Sequence, residues 1–304
     1  MLRTVRRIAL VLMAAVLGAP AAGVMAGPAS QPPTARSMVI DTDEMLQDCT
    51  EFVPESIHVA GITDHGKDVS LDVLVLIDFA RGAEIALMRR EAAELEDEEL
   101  AAQAEALFAA EVDRARGLID KATTSYSPLK VDLNWAEFDL LAPLDANGNP
   151  RVRTDNAQTI INLAKAQNGG RRPEGIDIVY VLTDKNIQLP GLGSAVAGLA
   201  DCIGGVRYPD RAYAVGEIFP SIPIGPVIFY YEATAKIAGH EIGHLMGAHH
   251  HYQNCAEGIP TELVEAREPS PCTLMSNFVD FVSLNFGQLE AVVVRGHAVD
   301  FADD

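Results

Sequence analysis

Basic residues are scarce in this chain: 23 Lys and Arg stand against 43 Asp and Glu, a formal net charge of −20. Such a surface repels nucleic acid and anionic lipid, which excludes both as general partners. Long apolar runs are also lacking. Beyond the first 26 residues no stretch is long and apolar enough to cross a membrane. The four cysteines include no Cys-x-x-Cys pair, so the cysteine-dominated set of a structural zinc site is not on offer. No internal repeat and no second compact unit can be made out.

The first residues are a different matter. Arg3, Arg6 and Arg7 precede an apolar core from Ile8 to Leu17, and small residues follow as far as Val24-Met25-Ala26. The pattern is that of a secretory signal peptide over residues 1–26. The other reading, an uncleaved membrane anchor, is opposed by Gly18, Pro20 and Gly23, which shorten the effective span. Cleavage would leave about 278 residues with 20 basic and 43 acidic side chains, enough for one large domain with its own core. The expectation is an exported monomer, extracellular or periplasmic, with no membrane attachment after cleavage. An even cysteine count in an exported chain favours two disulfides. Of the three possible pairings, Cys255 with Cys272 would staple a local loop, and Cys49 with Cys202 would tie the N-terminal segment to the body.

Residues 27–69 are polar and irregular, with Pro28, Pro32, Pro33 and Pro54, and read as an N-terminal extension or a short pro-segment. The run Leu71 to Ala80 is nearly continuous in apolar residues, as in a strand buried on both faces. An Ala/Glu/Leu-rich stretch follows from Ala83 to about Ala122; its acidic cluster reads as a solvated helix face. Val131 to Pro143 alternates as a second strand. Asp145 to Asn149 reads as a turn; calcium is conceivable there, but no bidentate Glu supports it. Residues 154–168 look helical, and Ile176 to Lys185 reads as another buried strand. Two shorter strand-like segments lie in SAVAGLADCIGG and AYAVGEIF. Strands alternating with helices predict an α/β fold on a mainly parallel sheet.

Five of the eight histidines crowd into residues 240–251. His240 and His244 are four apart in a helical stretch that starts near Tyr230, so both rings leave one helix face, the arrangement two imidazoles need to share one Zn²⁺. Glu241 stands beside them. Gly247 can take positive φ, end the helix and return the chain, which brings His250 to the same ion. Three histidines leave an open position for water, unlike a closed structural set. Glu241 is therefore expected to act as general base on that water, and then to pass the proton to a leaving amine. His249 and His251 flank the third ligand, and their rings should point elsewhere, as exposed loop residues.

The stretch His240-Glu241-x-x-His244-x-x-Gly247-x-x-His250 resembles the signature of the metzincin zinc endopeptidases. PCTLMSNF (Pro271 to Phe278) looks like that family's Met-turn, with Met275 lying 25 residues after His250. The strand runs are similar to the reprolysin-like (adamalysin) branch, including its bacterial secreted members. That branch typically has aspartate after the third histidine, where this chain has His251. The resemblance implies a catalytic domain over 70–304, with a mixed, mainly parallel twisted sheet, long helices and an active-site helix. It divides into an upper subdomain to about 250 and a small lower one over 251–304, below the cleft. It further implies one catalytic Zn²⁺, protein or peptide substrates, and Met275 as a packing residue beneath the site. Ser276, Asn277, Phe278 and Val279 would wall the pocket next to the scissile bond, and substrate would add as a strand near Ala195 to Ala200.

Two alternatives stay open at this point. The chain could be a catalytically silent binding or adhesion protein on the metzincin fold, or a zinc hydrolase of non-peptide substrates. Cys49 lies upstream of the domain, where some metzincins carry a cysteine thiolate that silences the metal, although MLQDCTEF does not match that motif.

Overall fold

The computed structural model describes residues 40–41, 46–49, 68–189, 196–219, 231–250, 273–276 and 284–302. Its centre is a five-stranded sheet in the order β2-β1-β3-β5-β4. Strand β1 (Val69–Asp78) pairs in parallel with β2 (Val131–Leu140) on one side and β3 (Ile178–Thr183) on the other. Strand β5 (Tyr213–Glu217) continues the parallel set beside β3, and the short β4 (Gly198–Ala200) runs antiparallel along β5. The expected mainly parallel α/β architecture is thus present.

Position in the sheet explains the sequence patterns. Strand β1 is flanked on both sides and covered on both faces, so its apolar run hardly alternates. Strand β2 lies at the edge of the order, and its first half alternates buried and exposed residues. The Ala/Glu/Leu-rich stretch forms two long helices, α1 (Gly82–Leu95) and α2 (Glu98–Ile119). The break has a local cause: Glu96 adopts a left-handed φ of 52°, and the Asp97 side chain accepts from the backbone N–H groups of Glu99 and Leu100, capping α2. Helix α3 (Ala157–Gln167) is capped in the same way by Asn156. Two more helices follow, α4 (Tyr231–Leu245) and α5 (Gln288–Phe301).

The helices cover both faces of the sheet. Residues from α2, α4 and α5 pack with Leu71, Val73, Val75, Ile77, Tyr180 and Ala214 in the larger core. Ile160, Ile161 and Ala164 of α3 pack with Leu76, Val181 and Val215 on the opposite face. Helix α4 is therefore pressed against the sheet through residues with no solvent contact. Asp145 to Asn149 form a turn in which the Asp145 carboxylate accepts from the N–H groups of Asn147 and Asn149. These bonds, that from Asn149 foremost, hold its pKa below the usual carboxylate range.

The N-terminal segment is fastened to this body. Cys49 is disulfide-bonded to Cys202, with Cα atoms 5.7 Å apart. On either side of the bond, Cys49 N–H donates to Ile203 O at 3.0 Å and Ile203 N–H donates to Gln47 O at 2.9 Å. Cys49 therefore has no free thiol with which to silence the metal position. Cys255 and Cys272 lie outside the described residues. Among the described residues no helix is long and apolar enough to cross a membrane.

Candidate metal centre

Helix α4 carries His240 and His244 one turn apart, and the chain turns back immediately after it. Gly247 takes φ 85°, which a side-chain-bearing residue adopts only with strain. It is also packed shut, because a Cβ there would lie 2.3 Å from the ring of His297 on α5. The turn returns His250 to the two helical histidines. Their Nε2 atoms converge: 2.9 Å between His244 and His240, 3.2 Å between His244 and His250, and 3.3 Å between His240 and His250. His249 points away, is exposed, and faces Asp48 at 3.6 Å. His251 lies outside the described residues.

What fixes the rings is the backbone. His240 Nδ1 bonds the carbonyl of Leu274 at 2.9 Å, and His244 Nδ1 bonds the carbonyl of Ala248 at 2.7 Å. A carbonyl only accepts, so each Nδ1 carries the proton and each Nε2 presents a lone pair. Burial, the largest influence, pushes His240 down to about 4, so its ring is neutral at pH 7. Acceptor lone pairs at such separations repel unless a cation sits among them. Ligands about 2.0 Å from one tetrahedral ion would lie roughly 3.3 Å apart, close to the separations seen here. The donor set therefore fits one Zn²⁺, which His240, His244 and His250 would hold, with Asp41 in the same cluster.

Met275 lies under this arrangement. It is fully buried, and a Cβ on Gly243 of α4 would come within 2.6 Å of its sulfur. The turn Thr273 to Ser276 that carries it is braced by Leu274 N–H donating to Asn285 O at 2.7 Å. That turn supplies the Leu274 carbonyl, so it orients His240 as well as filling space. Ser276 is buried in the same turn, while Asn277, Phe278 and Val279 lie outside the described residues.

Glu241 is wholly buried. Its carboxylate lies against the backbone of β4, where a Cβ on Gly198 would sit 2.2 Å from Oε1. Burial first, and then the nearby charge of Asp41, push its pKa well above the ordinary value. Burial, and then the Glu241 charge, raise the Tyr180 phenol of β3 well above its ordinary value.

Two participants went unnoticed in the sequence. Gly198 lies in the segment read as strand-like and as the edge that substrate would join, with no part given to the glycine itself. Asp41 lies in the irregular N-terminal extension, 199 residues from His240, and no periodicity or spacing marks it. Its carboxylate is fully buried, with Oδ1 2.6 Å from His250 Nε2 and 3.2 Å from His240 Nε2, and Oδ2 3.2 Å from His244 Nε2. Burial alone would raise its pKa, but the facing His244 and His240 hold it well below the usual carboxylate range. The position expected to be open thus faces a carboxylate of the same chain.

Residues 114–251 match a family model described as metallo-peptidase family M12B, reprolysin-like. No curated protein matches the chain at a significant level. The matched stretch includes α4, both of its histidines, Glu241 and His250. Over residues 114–251 the chain is thus similar to the reprolysin-like metzincins of metallo-peptidase family M12B.

Proposed function

We propose that this protein is an exported zinc-dependent endopeptidase in which Glu241 is the proton carrier. The observation that carries this reading is the convergence of three Nε2 lone pairs, two of them oriented by backbone carbonyls, beside a buried carboxylate. The M12B family is zinc-dependent and acts on proteins or peptides, which fits that donor set. Zinc, when bound, supplies a Lewis acid that polarises the scissile carbonyl and acidifies water.

The residues of the chain do the rest. Glu241 accepts a proton from the attacking water as its oxygen bonds to the carbonyl carbon. The same proton then passes to the amide nitrogen as the C–N bond breaks, so the carboxylate is regenerated. Glu241 is wholly buried beside His240, so a proton it carries between the two steps is kept from bulk water. Gly198 leaves the space in which the carboxylate sits. The Leu274 and Ala248 carbonyls keep the rings in the tautomer that can bind metal. Edge strand β4 offers substrate a backbone to pair with.

Export is supported by the basic and apolar N-terminus ending in Val24-Met25-Ala26, and by the Cys49–Cys202 disulfide, which persists in oxidising compartments. The test is cleavage of a peptide library by the purified chain beside Glu241→Ala, with zinc measured in both. Cutting by wild type, together with about 10²-fold or greater loss in a variant that still holds zinc, is the expected result. A variant that cuts equally well would remove Glu241 from the chemistry.

A further inference from the structure

The side chains of β3 from Ile178 to Leu182 are apolar but for one atom, the hydroxyl of Tyr180. It is fully buried and has no hydrogen-bond partner among the described residues. Phenylalanine would fill the same core without burying a polar group, so packing alone does not account for the hydroxyl. The two carboxylate oxygens of Glu241 are in the same condition, buried and with no hydrogen-bond partner among the described residues. The Ala200 N–H favours their charge without reaching hydrogen-bond geometry. A pair of glycines brings the two groups together. Gly198 of β4 and Gly216 of β5 stand directly opposite one another. On either side, Glu217 N–H donates to Ala197 O and Asp201 N–H donates to Tyr213 O, each at 2.8 Å. The glycines are therefore a non-hydrogen-bonded pair, the kind whose side-chain positions stand closest, about 5 Å apart. A Cβ on Gly198 would lie 2.2 Å from Glu241 Oε1, and a Cβ on Gly216 would lie 2.0 Å from the Tyr180 hydroxyl and 2.8 Å from Ile237 of α4. Hydroxyl and carboxylate thus occupy neighbouring places in one groove beneath α4. Glycine weakens a strand, and inside one it marks a place that another group must approach closely.

We infer that Tyr180 is a positioning residue for Glu241: its hydroxyl donates to the Glu241 carboxylate, directly or across one water, in the groove that Gly198 and Gly216 leave open. The inference rests on the proton-carrying role proposed for Glu241. The phenol is a donor and the carboxylate an acceptor, so each supplies what the other lacks. A hydrogen bond to an ionised group is among the stronger ones, and with one oxygen held the other keeps a fixed direction toward the attacking water. The Tyr180 ring is packed in the larger core, which gives the hydroxyl a fixed origin. A carboxylate so placed disfavours an ionised phenol, and it is the Glu241 charge, after burial, that raises the Tyr180 pKa. Tyr180 therefore remains a neutral donor, and its own proton takes no part in the reaction.

The experiment compares wild type, Tyr180→Phe, Glu241→Met and the double variant, each as the full chain with zinc, in urea unfolding and in cleavage of a peptide that wild type cuts. Tyr180→Phe should lower the urea midpoint of wild type, where it deprives a buried carboxylate of its donor. In Glu241→Met it should raise the midpoint, because there it only removes a hydroxyl with no acceptor. It should also lower kcat by about tenfold or more, with KM within about twofold of wild type and zinc content unchanged. A tyrosine that only fills space would shift the midpoint equally in both backgrounds and leave kcat alone. Either of those results, equal midpoint shifts or an unchanged kcat, overturns the inference and leaves the role of Glu241 standing. If wild type cuts no peptide, or Glu241→Met cuts as well as wild type, the proposed function itself fails and the inference falls with it.

Discussion

Gly198 of the edge strand and Glu241 of helix α4 are in such close contact that a methyl group on the glycine would lie 2.2 Å from the carboxylate oxygen Oε1. The clash would be with the end of the Glu241 side chain, not with backbone. The fold can therefore accept Gly198→Ala by turning that carboxylate aside. The expected result is at least a tenfold loss of kcat with zinc content and unfolding midpoint close to wild type, since about 1 Å of displacement is costly at a reacting group. Activity equal to wild type would show that Glu241 does not need its present position.

The tether allows a second prediction. Cys49 and Cys202 are 153 residues apart in sequence, and in the chain-entropy account closing a loop of that size stabilises the fold by up to about 5 kcal/mol. It also holds Asp41 near the three histidines. Replacing both cysteines by serine is expected to lower the urea midpoint and to raise peptidase activity of the unprocessed chain. Lower stability with unchanged activity would separate the two roles and leave the disulfide purely structural.

A third prediction concerns Asp78, at the end of β1. Its nearly fully buried carboxylate bonds Arg151 and Arg153 at 3.0 Å each, and it accepts from the Thr183 hydroxyl at 3.0 Å. Removing one partner from a buried ionic group is more costly than the pair itself is stabilising, because the remaining charge loses its compensation. Asp78→Ala should destabilise by about 3 kcal/mol in chemical denaturation. Adding Arg153→Ala to it should cost much less than the two single losses together. A loss below about 0.5 kcal/mol, the usual range for surface changes, would show that water replaces the carboxylate freely.

The difference between what was readable in the sequence and what was not follows the range of the interactions. His240, His244, Gly247 and His250 were legible because a helix repeat and one turn fix their relative positions within eleven residues. Strands β1 and β3 were legible because burial on both faces leaves an unbroken apolar run. The break at Glu96 and Asp97 was not, since acidic residues suit both a solvated helix and a cap. Asp41 was not legible either. Its role depends on the chain crossing from the N-terminal segment to α4, and local composition carries no record of such a crossing. The carbonyls of Leu274 and Ala248 were invisible for a simpler reason: any residue can present a backbone oxygen.

The last prediction concerns pH, through His297. This residue of α5 packs its ring against Gly247, and its Nδ1 bonds the Val293 carbonyl at 3.1 Å. Burial, with a smaller contribution from the Arg207 charge, holds its pKa below the ordinary 6.5. Above pH 6.5 the ring is neutral whether the chain is folded or not, and full stability is present. As pH falls below 6.5 the unfolded chain takes up a proton that the folded chain resists, so stability drops toward the lowered folded value. A single site of this kind contributes at most about 1.4 kcal/mol per pH unit. His297→Gln removes the titration while keeping a polar side chain of similar length. Its urea-derived stability, measured from pH 7.5 to 5.0 at saturating zinc, should fall less steeply than that of wild type, with the two curves parallel above pH 6.5. Parallel curves throughout would mean that His297 charges as easily in the fold as in the open chain, and that the packing against Gly247 does not exclude its proton.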